Sequence, residues 1–154
     1  MIRALTQGER GLIRAEFGET VRLDEVRLMP TPWPLDRAFV PGLWFGRVWI
    51  CWPGRGLPDD FAVAPLSLQA VLIHEMVHVW QAQNGINLLT GKLRAGDGPQ
   101  AYAYPTSRCG WDALNIEQQA MAVEHRFRAA RGQRTPLDAD FYGSICPIRS
   151  QAVA

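Results

Sequence analysis

The chain has 154 residues, enough for one domain around a single core, and a domain of that size buries roughly 70% of the surface of its unfolded chain. A formal net charge of +1 with 20% charged residues argues against nucleic acid or an anionic membrane as partner. No apolar run reaches the roughly 18 to 20 residues of a membrane span, and residues 1–10 lack the apolar core of a secretory signal. The expected location is therefore the cytoplasm, or outside it by a secretion route that needs no cleavable signal.

Thr6-Gln7-Gly8-Glu9 has the capping-box pattern, and Leu12, Ile13 and Phe17 supply an apolar stripe that ends at Gly18, which predicts a first helix over residues 6–17. Val21 to Met29 reads as a strand or two short ones. Pro30, Pro32, Pro34 and Pro41 then predict a stiff loop without regular structure. Arg47 to Trp52, rich in β-branched and aromatic residues and closed by Pro53-Gly54, predicts a second strand covered on both faces.

From near Ser67 to Asn84-Gly85 the chain predicts a helix that is apolar nearly all round and therefore buried. It carries His74-Glu75-Met76-Val77-His78. Residues four apart on a helix stand one turn above each other, so both imidazoles project from one face and can grip one ion. As plain core residues, two imidazoles and a carboxylate would each need a buried partner, at about 1–3 kcal/mol for every group left unsatisfied, and a metal satisfies them together. A hydrolytic zinc wants three protein ligands and one open position, and Glu75, adjacent to the first His, is placed to take a proton from the attacking water.

Residues 86–113 read as a long loop with one strand-like piece over 100–104, a lid or binding surface. Asn115 with Gln118 caps a helix that runs to Arg131 and Gly132, and its closing arginines suit a helix C-terminus. A short helical turn is expected around residues 137–142. Residues 1–134 are expected to form the domain and 135–154 a tail packed on it. Cys51, Cys109 and Cys146 lack the CxxC spacing of a thiolate metal site; buried or free thiols are expected, with a Cys109 to Cys146 disulfide as the alternative.

The third ligand must come from elsewhere. A third His six residues past the second is excluded, because Gln81 and Asn84 occupy the diagnostic positions. The next helix offers Glu117 and Glu124, separated by about 10 Å of helical rise, so they cannot both bind one ion. Spacing barely separates the two; Glu117 lies nearer the polar start of the helix. His125 is then expected in a supporting role. For the oxyanion of an acyl-transfer intermediate the candidates are Tyr102, Tyr104, Arg108 and His125, with strand packing the competing role for the tyrosines.

The run Leu72 to Gln81, with Asn115-Ile116-Glu117-Gln118-Gln119-Ala120 downstream and Phe17-Gly18, Val26-Arg27-Leu28 and Val48 to Trp52 upstream, resembles small bacterial Vgr-related proteins and the metallopeptidase-like domain associated with contractile injection systems. The resemblance implies an α+β, zincin-like domain of the gluzincin kind: a short mixed sheet packed on the buried HExxH helix, with a second helix bearing Glu117 as third ligand to Zn2+. It also implies that the strand ahead of the metal helix, Val48, Trp49 and Ile50, is the edge that pairs with a peptide or protein substrate. One departure is Met121, where gluzincins place an acid to support a ligand His; Asp112, Glu124 or a backbone carbonyl must then serve. The functions so implied are a zinc peptidase, an adaptor or effector module docking on an injection-system spike component, or a delivered toxin.

Overall fold

A computed structural model describes residues 1–96, 98–104 and 110–149. Helix α1 (Gln7–Phe17) begins at the Thr6 capping box, with Glu9 closing it from inside the first turn. Glu9 is fully buried. It takes both guanidinium nitrogens of Arg3 at 2.9 and 2.8 Å and the N–H groups of Thr6 at 2.8 Å and Phe61 at 3.0 Å, tying the N-terminal segment and α1 to the turn ahead of the central helix. Removing one partner of such a pair strands the rest, so Glu9→Ala is expected to cost about 3 kcal/mol in urea unfolding. A loss below about 1 kcal/mol would show that water replaces the carboxylate.

The sheet holds β1 (Val26–Thr31), β2 (Leu43–Trp44) and β3 (Arg47–Pro53) in the order β1-β3-β2, with β1 parallel and β2 antiparallel to β3. The mixed sheet matches the sequence expectation in kind. Its details differ in three ways. First, β1 starts only at Val26, after a turn at Leu23–Glu25, and runs on through Pro30. Proline is tolerated there because Leu28 donates to Arg3 on the side away from β3, and Pro30, two residues on, turns its missing donor the same way. Second, the proline-rich loop contains β2, which the pattern did not announce. Third, β3 is the central strand and not an edge: Val48, Trp49 and Ile50 pair with β1, and Val48 also pairs with Leu43. Val48 and Ile50 are wholly buried.

Helix α2 (Leu66–Gln83) packs on β3 and crosses α4 (Ile116–Ala129), with every residue from Leu72 to Val79 buried, as its all-round apolarity requires. Between them lies α3 (Leu88–Ala95), where a loop was expected, and Pro99–Ala101 forms a 3-10 turn in place of the strand-like piece. Gly91, inside α3, is a point of close approach: a Cβ there would stand 3.0 Å from Ile116 at the start of α4. Asn87 caps α3 by accepting from the Thr90 N–H. Helix α5 (Ala139–Ile145) packs on α4 through the buried Tyr142. Cys51 and Cys146 are buried thiols; Cys109, and with it the alternative disulfide, lies outside the described residues, as does Arg108. No described helix is long and apolar enough to cross a membrane.

Candidate metal centre

One turn of α2 separates His74 from His78, and their rings stand edge to face with centroids 5.2 Å apart. The first turn of α4 brings Glu117 beneath both. Its Oε2 lies 3.3 Å from His74 Nε2 and 3.4 Å from His78 Nε2. All three side chains are buried, and their donor atoms fall within 4.8 Å of one another. Two donors each about 2.0–2.1 Å from one tetrahedrally bound ion stand roughly 3.3 Å apart, whereas a charge-assisted N–H···O contact closes to about 2.7–2.9 Å. The spacing thus fits a shared ion better than a hydrogen-bonded trio.

The ring nitrogens facing away are held as well. Gln81 Oε1 lies 2.8 Å from His78 Nδ1, while its Nε2 donates to the Ile116 carbonyl at 3.0 Å and to Gln119 Oε1 at 2.9 Å. A carbonyl can only accept, so Ile116 fixes the orientation of the Gln81 amide. His78 must then donate from Nδ1, which leaves a lone pair on Nε2 for an ion. Gln119 is oriented in turn by the carbonyls of Trp111 at 3.2 Å and Leu114 at 3.5 Å. Neither glutamine was singled out from the sequence as support, although Gln81 stands three residues past His78 on the same helix.

For His74 the outward partner is Glu124, whose Oε1 is 3.4 Å from Nδ1, within ion-pairing reach though off hydrogen-bond alignment. Arg128 donates to the other oxygen of Glu124 at 3.0 Å. The two glutamates that could not share one ion therefore share one imidazole, Glu117 at Nε2 and Glu124 at Nδ1. This is the support that Met121 could not supply. Asp112 is exposed in the turn ahead of α4.

Electrostatics follow the geometry. Burial alone would lower the His74 imidazole, but the carboxylates of Glu117 and Glu124, one beside each ring nitrogen, pull it up to about 10. Burial would raise Glu117, yet the two imidazoles hold it well below the usual carboxylate range. Metal-free, the cluster stores a proton where an ion would put its charge. Glu75 is pushed up by burial, partly offset by His74 and His78, and its Oε2 has no hydrogen-bond partner among the described residues.

Glu75 and His74 stand where two hollows of about 520 Å³ each meet, with Ala38 and Tyr102 also shared. One is lined by Trp44, Leu88, Leu89 and Ile116, the other by Trp52, Leu68, Val71 and Met121. Tyr102 lies over His74, centroids 6.3 Å apart, and accepts from Lys92 Nζ at 3.1 Å. Tyr104 instead joins the buried core, its hydroxyl between His125 Nδ1 at 2.6 Å and Tyr142 at 2.5 Å. His125 faces that cluster and not the ligand trio.

Fold and site together define a small α+β domain with a buried two-histidine, one-glutamate cluster able to hold a metal ion at the floor of a cleft. The chain is homologous to the effector domain of VgrG2b, a type VI secretion system spike protein of Pseudomonas aeruginosa, and is in that sense Vgr-related. It is 35% identical to VgrG2b over 140 residues, which cover 81% of this chain and 13% of the spike protein. The solved structure of the VgrG2b effector domain superposes with a TM-score of 0.71 at 28% identity, covering 92% of this chain and 80% of that one. No protein-family model matches the chain.

Proposed function

We propose that the chain is an effector module delivered with a type VI secretion spike, and that its chemistry is zinc-dependent hydrolysis of a peptide bond on a zincin-like, gluzincin-type scaffold. The homology to a spike effector domain supports delivery by the injection machinery. The observation that carries the chemistry is Glu75, a buried carboxylate with an unpartnered oxygen beside two imidazoles and a glutamate at ion-sharing distance. A purely structural site needs no such group. Two imidazoles and one carboxylate favour zinc among the common divalent ions.

When bound, the ion supplies Lewis-acid activation of water and of the scissile carbonyl. His74, His78 and Glu117 hold it, with Glu124 and Gln81 fixing the two rings. Glu75 accepts the proton of the attacking water and returns it to the leaving amine. Tyr102, which lines the cleft with its ring 6.3 Å from that of His74, is the residue we assign to donate to the developing oxyanion. A peptide strand finds its edge along Ala38 to Val40 and not along β3. Phe39 exchanges both backbone hydrogen bonds with Cys51, so Ala38 and Val40, which line the cleft, turn theirs away from the sheet.

The test is cleavage of an unfolded protein substrate by the purified chain, followed by mass spectrometry, with chelation and zinc re-addition. Cleavage that chelation abolishes and zinc restores is the expected result; none from the zinc-loaded protein would overturn the enzymatic half. Delivery is tested by pull-down against spike and tube components. A spike partner recovered without any proteolysis would favour the second reading, a non-catalytic adaptor, which rests on the homology alone. Death of cells producing the wild type but not a Glu75 variant would mark the product as a toxin.

A further inference from the structure

We infer that Lys92 is a positioning residue for the centre: its ammonium holds Oε1 of Glu117, so that the carboxylate presents only Oε2 to the ion shared by His74 and His78. This rests on the metal-binding reading of the trio and does not need the peptidase reading. The two carboxylate oxygens occupy different surroundings. Oε2 stands 3.3 and 3.4 Å from the two Nε2 atoms, whereas Oε1 faces Lys92 Nζ at 3.5 Å.

Lys92 is placed by its backbone. Its neighbour Gly91 lets α3 approach the Ile116 side chain, next to Glu117, to a distance at which a Cβ would stand only 3.0 Å away. Its Nζ is steered further by the Tyr102 hydroxyl at 3.1 Å and stands 5.1 Å over the centre of that ring. Lys92 and Tyr102 thus form one wall of the cleft, with Glu117 on its floor.

The choice of residue type matters. A hydrolytic centre needs an open position for water, and a glutamate free to bind through both oxygens would fill it. A single ammonium satisfies one oxygen and leaves the other to the metal. A guanidinium fork matches both oxygens at once and would compete with the ion. Fifteen of the 16 basic residues of this chain are arginine, and the one lysine stands at this position.

The experiment measures zinc affinity by chelator competition and the visible spectrum of the cobalt-substituted protein, for the wild type, Lys92→Met and Lys92→Arg. Circular dichroism of each metal-free chain confirms that it is folded. The wild type is expected to show the intense absorption of four-coordinate cobalt. Lys92→Met should shift to the weaker five-coordinate spectrum and lose about 10- to 100-fold in zinc affinity, and Lys92→Arg should not restore either. A Lys92→Met spectrum and affinity like those of the wild type would overturn the role of Lys92 and leave the metal site standing. Full rescue by arginine would overturn the one-oxygen account, and a wild type that takes up neither metal would overturn both. If Lys92→Met fails to fold, Lys92→Gln, uncharged and one atom shorter than lysine, gives the same comparison.

Discussion

Replacing Glu75 with Gln is expected to leave the fold and the bound metal unchanged and to lower the hydrolysis rate by at least about 100-fold, the contribution of a positioned general base. The substitution is nearly isosteric, and Glu75 is not among the three groups that approach one another at ion-sharing distance. Its side chain is buried with one oxygen unpartnered, so the neutral amide costs the fold little. What is lost is the ability to accept a proton. Burial holds the Glu75 carboxyl above its ordinary value in the metal-free chain, which makes it a stronger proton acceptor than an exposed glutamate. Steady-state cleavage and metal content measured on the same preparations decide the matter. Equal rates with equal zinc would remove Glu75 from the mechanism.

Zinc at about a thousand times its dissociation constant should stabilise the native chain by about 4 kcal/mol, raising the melting temperature by roughly 8 to 16 °C for a domain of this size. His78→Ala should abolish the shift. The sign of the pH dependence follows from the cluster itself. In the metal-free chain the His74 imidazole titrates near 10 against an ordinary value of 6.5, so its protonated form contributes stability that is full below about 6.5 and lost as pH rises through 10. Glu117 is held below its ordinary 4.5, so its contribution is present above that value and lost as pH falls. An ion must displace the His74 proton, so its own stabilisation grows with pH over the range in which the metal-free form weakens. The zinc-induced shift should therefore be larger at pH 8 than at pH 6, and a shift that shrinks with pH would contradict the ligand assignment.

The elements that carry the chemistry were legible because their signals are local. The Thr6 and Asn115 capping boxes are both formed, and α2 runs within one residue of the span its apolar periodicity marks. Where the pattern misled, long-range contact had overridden it. Residues 86–113 read as a loop until α3 is seen packed against Ile116 at Gly91, and Pro30 reads as a strand end until its missing donor is seen to face away from β3. The family resemblance made Val48 to Ile50 a substrate edge, and nothing local in the sequence records that β1 will pair along one side and β2 along the other.

Sequence by itself determined that two imidazoles and a carboxylate share a buried helix, since a period of 3.6 residues leaves them no other arrangement, and it offered Glu117 and Glu124 on the following helix as partners. It did not choose between Glu117 and Glu124. The crossing of α2 over α4 brings Glu117 to both imidazoles and Glu124 only to the far nitrogen of His74. Tertiary structure alone brought Gln81 to His78 with its amide oriented by the Ile116 carbonyl, and Lys92 to the far oxygen of Glu117. The physical reason is the same in each case: ligands on one helix are set by its own geometry, whereas the groups that orient them come from chain segments brought together only by packing.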